Sequence, residues 1–361
     1  MKPPIIQTEG IKYAGSKLKI LPHILQVCGE LGSVRRVLDG FSGTTRVSQG
    51  FAQCGYSVAA NDVADWAEVF GTCYLKANRP VRYYQEMIDH LNALNGYEGW
   101  FSSHYGGTEK DTKKPFQLKN MRKLDAVRDE IEKMNLSFED KSVLLTSLIL
   151  ALDEVDSTLG HYASYLSKWS ARSYKELVLK MPRKFPLTQE HEVSRGDIFS
   201  LLSKQEWDLA YFDPPYGSNN EKMPPSRVRY NAYYHFWTTV IRHDKPVLFG
   251  KANRREDSRD LQSPSVFESY RKTPSGHFVA LQALDELIKQ TKARYILLSY
   301  SSGGRATQKE LLDILSSRGK IKKMLEIDYK QNVMAHMCST RRWVSAQHNG
   351  NHIEYLFLLE K

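Results

Sequence analysis

The chain has 361 residues, a formal net charge of +10, and 41% hydrophobic against 25% charged residues. This composition excludes disordered and collagen-like classes, and the length suits one dominant core carrying a sizeable insertion. No apolar run is long enough for a bilayer, the opening MKPPIIQTEG lacks the order of a secretory leader, and the four scattered cysteines form no metal or disulfide framework. The expectation is a cytoplasmic protein that does not engage a membrane, binds no metal, and keeps Cys28, Cys54, Cys73 and Cys338 reduced and buried. The basic balance favours a polyanionic partner, because neutralising phosphates releases condensed counterions.

In chain order, Val34 to Leu38 reads as a short apolar strand ending at Asp39-Gly40. Gly43 to Gln53 reads as a helix closed by Gly55, Ser57 to Ala60 as a second strand ending at Asn61-Asp62, and Trp66 to Ala77 as a helix. From Arg79 to Glu190 the rhythm changes. Leu118 to Met134 and Glu139 to Leu152 have amphipathic helical spacing, and Gly96 to Phe116 has loop-like composition. Two basic stretches fall here, each interleaved with aromatic residues. Lys110, Lys113, Lys114, Lys119, Arg122 and Lys123 have one acid, Asp111, among them; Lys168, Arg172, Lys175, Lys180, Arg183 and Lys184 have only Glu176. Each suits a solvated helix face or a nucleic-acid contact.

The strand-helix alternation resumes with His191 to Val193 and Asp208 to Phe212, which runs into Asp213. An aromatic-rich helix over Arg229 to Arg242 follows, then a buried strand over Arg294 to Tyr300, a helix over Gln308 to Ser317, and strands over Met324 to Tyr329 and His352 to Leu359, the last after an Asn349-Gly350 turn. This alternation predicts a mostly parallel sheet covered on both faces. Ligands in such sheets sit at the carboxyl ends of the strands, where Asp39, Asp62 and Asp213 all fall.

The most specific segment is Asp213-Pro214-Pro215-Tyr216. A strand ending in a rigid loop explains the prolines but not a carboxylate and an aromatic ring at the ligand edge. An exocyclic amino group explains all four residues. Its lone pair is delocalised into the base; a carboxylate (Asp213) and a backbone carbonyl (Pro214), each accepting one of its hydrogens, would localise that pair towards a methyl donor. Proline's fixed φ would hold the carbonyl in place. Tyr216 would stack on the base, and stacking is worth roughly 1–3 kcal/mol.

The chain resembles the Dam-type (alpha-group) N6-adenine DNA methyltransferases in motif order over nearly its whole length. The family's lysine-aromatic-Ala-Gly-x-Lys segment matches Lys12-Tyr13-Ala14-Gly15-Ser16-Lys17, and its Asp-x-Phe-x-Gly-x-Gly loop matches Asp39-Gly40-Phe41-Ser42-Gly43-Thr44-Thr45. Its second-strand acid matches Asp62, and the Asp preceding the catalytic motif matches Asp197, followed by Ile198. The resemblance implies a Rossmann-like class I methyltransferase fold with a seven-stranded sheet. It implies S-adenosyl-L-methionine as cofactor, held by Lys12, Tyr13, Ala14, Gly15, Lys17, Asp39, Phe41, Ser42, Gly43, Asp62, Asp197 and Ile198. Asp213, Pro214, Pro215 and Tyr216 are then the catalytic motif, acting on a flipped adenine in double-stranded DNA. The sequence departs from the family loop at Thr45, where glycine is usual.

The resemblance further implies a catalytic domain over 1–78 and 191–361 and a largely helical DNA target-recognition insertion over 79–190. Lys113, Lys114, Lys119, Arg122, Lys123, Lys168, Arg172 and Lys175 are its candidate DNA contacts. A cognate restriction endonuclease acting separately would be the partner in a restriction-modification system. Cytosine-N4 methylation of DNA and adenine-N6 methylation of ribosomal RNA use similar loops and stand as alternatives.

Overall fold

The computed structural model describes residues 6–111, 114–217, 229–259, 265–328 and 353–361. Lys113, Cys338 and the Asn349-Gly350 turn lie outside them.

A seven-stranded sheet organises the molecule. Its strands are β1 (Arg36–Asp39), β2 (Ser57–Asp62), β3 (Glu192–Arg195), β4 (Trp207–Phe212), β5 (Ala293–Ser301), β6 (Lys320–Asp328) and β7 (Ile353–Glu360). The order across the sheet is β6-β7-β5-β4-β1-β2-β3. All contacts from β5 to β3 are parallel; β7 alone runs antiparallel, to both β5 and β6. The reversal between β4 and β1 opens a crevice beyond their carboxyl ends, the place where such sheets bind ligands.

Period-two burial explains why these segments are strands. Val37, Val58, Leu209, Tyr211, Tyr295 and Leu297 face helices α1 (Leu21–Gly29) and α2 (Arg46–Gln53). Leu38, Ala59, Ala210, Phe212, Ile296 and Leu298 face the opposite layer, built from α11 (Val279–Gln290) and α12 (Gln308–Arg318). Each fully buried large apolar side chain contributes roughly 1.5–3 kcal/mol, so a one-residue slip would expose both faces at once. Local signals fix the helix ends. Thr307 and Glu310 form a reciprocal capping box on α12, and Ser137 accepts from the Asp140 amide at the start of α7 (Phe138–Val155).

Four expectations need correction. Within the Gly96 to Phe116 stretch a helix forms, α5 (Trp100–Tyr105), because the Asp125 carboxylate on α6 (Leu118–Lys133) accepts the amides of Gly99, Phe101 and Ser102. The Trp66 to Ala77 helix is α3 (Asp65–Gly71) followed by a wider π-turn over Thr72–Lys76. The aromatic helix breaks at Tyr234 into α9 (Tyr230–Tyr233) and α10 (His235–Arg242). Cys54 is exposed; Cys28 and Cys73 are buried.

Residues of the 79–190 interval share a hydrophobic cluster with α3 and α10. The Phe236 ring of α10 packs at 4.8–5.0 Å from the rings of Tyr105, Phe116 and Tyr162. Arg128, fully buried on α6, donates to the Val240 carbonyl at 2.6 Å. These contacts pack the interval against α3 and α10. Among the described residues no helix is long and apolar enough to cross a membrane.

Candidate active site

A cavity of about 590 Å³ opens over the carboxyl ends of β4, β1, β2 and β3. Tyr13, Gly15, Phe41, Gly43, Asp62, Asp197, Ile198, Asp213 and Pro215 all line it. Residues read from five separate sequence segments are thus brought to one surface.

The first segment is carried on an aromatic pedestal. The Tyr13 ring stacks on Tyr234 at 4.7 Å, and Tyr234 stacks on Trp237 at 4.3 Å. The Tyr234 hydroxyl accepts from the Ala14 amide at 2.7 Å, while the Tyr230 hydroxyl donates to the Ala14 carbonyl at 3.2 Å. Gly15 turns the chain with φ +81°, and a Cβ there would meet the Tyr230 hydroxyl at 2.8 Å, so both conformation and space require glycine. This segment sends its two lysines apart. Lys12, expected at the cofactor, directs its ammonium to the Asp153 carbonyl at 2.6 Å and the Asp156 carboxylate at 2.9 Å and is not among the residues lining the cavity. Lys17 is buried, 2.7 Å from Asp213 Oδ2.

The next three segments hold their carboxylates differently. Asp39 is buried beneath the cavity; Ser48 donates to one oxygen at 2.5 Å and the other, Oδ1, has no partner among the described residues. Burial raises its pKa to about 7, with Asp213 and Asp62 adding repulsion against the Ser48 hydrogen bond. Asp62 accepts the Gly43 amide at 2.9 Å and the Ala64 amide at 3.0 Å, which fixes the loop between β1 and α2 against β2. Burial lifts its pKa, partly offset by those amides. Ser42 lies under the loop, its amide donating to the Asn61 carbonyl at 2.9 Å. Asp197 is exposed to the cavity and caps helix α8 (Ile198–Leu202) by accepting the Phe199 amide at 3.0 Å.

Thr45, the departure from the family loop, adopts φ +59°, the left-handed conformation that glycine takes without strain. Its side chain is fully buried and does not line the cavity. The missing glycine therefore places no bulk in the ligand's way. It leaves a strained turn, held by the Thr45 amide on the Ser42 carbonyl at 2.6 Å.

At the end of β4, Asp213 contacts Lys17 and Tyr216, and both of these reach Glu354, which no motif announced. Lys17 binds its Oδ2, the Tyr216 hydroxyl donates to its Oδ1, and that hydroxyl also lies 2.5 Å from Glu354 Oε1 on β7. Burial raises the Asp213 pKa to about 6; Glu354 raises it further, and Lys17 pulls against both. The Tyr216 ring rests 4.8 Å from Tyr300, and the Tyr216 carbonyl accepts the Arg305 amide at 2.8 Å. Pro214 is buried, and its carbonyl accepts no hydrogen bond among the described residues.

Sequence reasoning missed three contributors. Asn61 stitches the strand ends, donating to Gly196 and Gly40 carbonyls at 3.2 and 3.4 Å and accepting from Ser194 at 2.9 Å. Val63 lines the cavity while 65% exposed, an apolar surface fit for a flat ring. Its place directly after the second-strand acid was the available signal. Glu354 had none, since nothing local marks a carboxylate in a terminal strand.

Most of the proposed DNA contacts are tied to the protein. Arg172 pairs with buried Asp156 at 2.5 Å, and Arg122 pairs with Glu98. Lys114, Lys119 and Lys123 donate to the carbonyls of His104, Tyr174 and Leu94. Lys168 and Lys175 are exposed, with no side-chain partner among the described residues.

A parallel sheet closed by one antiparallel strand, with an Asp-Pro-Pro-Tyr loop at its ligand edge, defines a Rossmann-like methyltransferase that acts on amino nitrogen. The family model for D12 class N6 adenine-specific DNA methyltransferases matches residues 13–301, and the chain belongs to that family. Among its relatives, a type II methyltransferase, M.NlaIII, of Neisseria lactamica is 27% identical, over 97% of this chain and 99% of that protein. The modification methylase StsI of Streptococcus sanguinis is also 27% identical, over 84% of this chain; this chain spans about half that protein's length, 46%. The solved hMettl16 catalytic domain, in complex with a MAT2A 3'UTR hairpin, aligns at TM-score 0.33 and 11% identity, over 94% of this chain and 68% of that one. The enzyme is thus an N6-adenine DNA methyltransferase, and the cytosine-N4 and RNA alternatives fall away with the family assignment.

Proposed function

We propose that the enzyme transfers a methyl group from S-adenosylmethionine to N6 of an adenine extruded from duplex DNA. The observation that carries this reading is the opening of Asp213, Asp62, Asp197 and Gly43 onto one cavity. The residues suit the cofactor. Asp39 Oδ1, without a partner among the described residues and lying beneath the cavity, has the chemistry to receive an ammonium, Asp62 to accept ribose hydroxyls, and Asp197 to accept an adenine amino group, with Val63 and Ile198 as apolar walls. Bound there, the cofactor supplies an electrophilic methyl group.

The chain's own residues do the rest. Asp213 accepts one N6 hydrogen and the Pro214 carbonyl the other, which directs the nitrogen lone pair along one line. The proline rings hold that carbonyl still, and Lys17 steadies the carboxylate from behind. The face of Tyr216 supports the base, offsetting part of the few kcal/mol that unstacking costs. The 79–190 interval reads DNA, with Lys168 and Lys175 on phosphates, which position the duplex without specifying sequence. Its relatives are type II methyltransferases, so a separate cognate endonuclease completes a restriction-modification pair in this reading.

Transfer of isotopically labelled methyl from the cofactor to duplex DNA tests the assignment. Asp213→Ala abolishes transfer while leaving cofactor binding intact; full transfer by that variant overturns it. Mapping modified bases in a methylation-free host that expresses the enzyme then gives base and target sequence together.

A further inference from the structure

The catalytic loop is completed by a residue outside the family-matched segment. Glu354 is the second residue of β7, 7% exposed, and the family match ends at residue 301. Its Oε1 gathers three donors: the Ser299 hydroxyl of β5 at 2.6 Å, the Tyr216 hydroxyl at 2.5 Å and the Lys17 ammonium at 3.5 Å. Two of these three also contact Asp213. A phenol has one hydrogen to donate, so Tyr216 serves either Asp213 or Glu354 at a given moment.

This sharing matters when a base arrives. Asp213 must then present lone pairs to an incoming amino group while both its oxygens are engaged, one by Lys17 and one by Tyr216. Were Asp213 the sole carboxylate nearby, loosening its contacts would leave the Tyr216 phenol without an acceptor, at roughly 1–3 kcal/mol, and would take from the Lys17 ammonium its carboxylate, leaving the Gly15 carbonyl at 3.1 Å. Glu354 reduces that penalty by offering both donors a second carboxylate. Ser299, fully buried, keeps Glu354 facing them.

Resting on the reading of Asp213 as the acceptor of the N6 hydrogen, we infer that Glu354 is a positioning residue of the catalytic loop. It takes the Tyr216 hydroxyl and shares the Lys17 ammonium as Asp213 turns to the substrate amino group. Other ionisable groups around Asp213 are Asp39 at the end of β1, Tyr211 on β4 and Tyr230 on α9. Both tyrosines are held neutral by burial, well above their ordinary range. Asp39, raised to about 7, is still largely protonated as Asp213 ionises, so Glu354 is the carboxylate that opposes ionisation of Asp213, and it shares the Lys17 and Tyr216 partners.

The test is the pH dependence of kcat at saturating cofactor and duplex DNA for the full-length enzyme. Glu354→Gln lowers kcat about tenfold, leaves KM for DNA within twofold, and moves the acid limb to lower pH, because a repelling charge beside Asp213 is gone. Glu354→Asp, which keeps the charge one methylene further back, gives an intermediate kcat and a smaller shift in the same direction. It carries the test alone should the glutamine variant fail to fold. In a Tyr216→Phe background Glu354→Gln changes kcat by less than twofold, as coupling through the phenol requires. A limb that superimposes on wild type in either folded variant, or additive losses in the double variant, overturns the proposal. Failure of the underlying reading is separately visible, as activity in Asp213→Ala.

Discussion

The Lys17 ammonium sits 2.7 Å from Asp213 Oδ2, joining the loop before α1 to the loop after β4 inside the buried floor of the cavity. An opposite charge at that distance favours the ionised carboxylate, and Lys17 is the largest influence lowering the Asp213 pKa. Lys17→Met therefore raises the acid limb of kcat above its wild-type position, opposite in sign to Glu354→Gln. Activity at pH 7 falls by about tenfold or more, on the scale of a 1–3 unit change in an ion-paired carboxylate. Rates measured from pH 5 to 9 check both direction and size.

In the wild-type enzyme Asp213 draws electron density onto the amino nitrogen most strongly as its carboxylate, whose two oxygens both accept and neither donates. Its value near 6 places the loss of activity below that pH. At saturating cofactor and DNA, kcat falls about tenfold for each pH unit below 6 and is flat above 7, the slope expected of one required deprotonated group. A flat profile down to pH 5 would remove Asp213 from that role.

Asp39 makes a prediction about stability. Its folded-state pKa is raised, to about 7, above the ordinary carboxylate value, so the folded state holds a proton that the unfolded chain releases. Its contribution is complete below about pH 4 and is lost as pH rises through 7. Asp39→Asn, neutral at every pH, should melt above wild type at pH 8 and close to it at pH 5 in ligand-free protein. The same variant weakens cofactor binding, measurable by calorimetry, because an amide replaces the carboxylate that would face the cofactor's ammonium.

Thr45 holds a backbone shape that costs an L-residue roughly 1–2 kcal/mol. Its fully buried side chain adds packing and accepts from Gln49 at 3.3 Å, which offsets part of that gain. Thr45→Gly therefore stabilises the enzyme by up to about 1 kcal/mol and leaves cofactor KM within twofold. Thermal unfolding and steady-state kinetics report the two effects separately.

The basic residues divide into two experimental classes. Lys168→Ala with Lys175→Ala leaves the melting temperature unchanged and lowers the slope of log affinity for DNA against log salt by up to about 1.8, near 0.9 per phosphate contact. Arg172→Ala instead destabilises the fold by about 1–3 kcal/mol, because it withdraws a partner from buried Asp156 that Lys12 replaces only in part. An unchanged salt slope in the double lysine variant would exclude both from the DNA surface.

The reaction class, the strand-helix alternation, and the ends of β1, β2 and β4 were legible in the chain alone, because those features are local. A proline-locked loop and acids at strand ends can be read one segment at a time, and Asp39, Asp62 and Asp213 were found that way, whereas Asp197 came only from the family's motif order. Burial decided what no local pattern could. Lys12 and Lys17 look equivalent in one short motif, yet the turn at Gly15 sends one to Asp156 and the other to Asp213. Arg172 reads as a surface cation until the fold places Asp156 against it. Glu354 is one acid among 41 acidic residues in the chain. Only the antiparallel pairing of β7 with β5 brings it beside Ser299 and Tyr216, and a contact between residues so far apart in sequence is a property of the sheet.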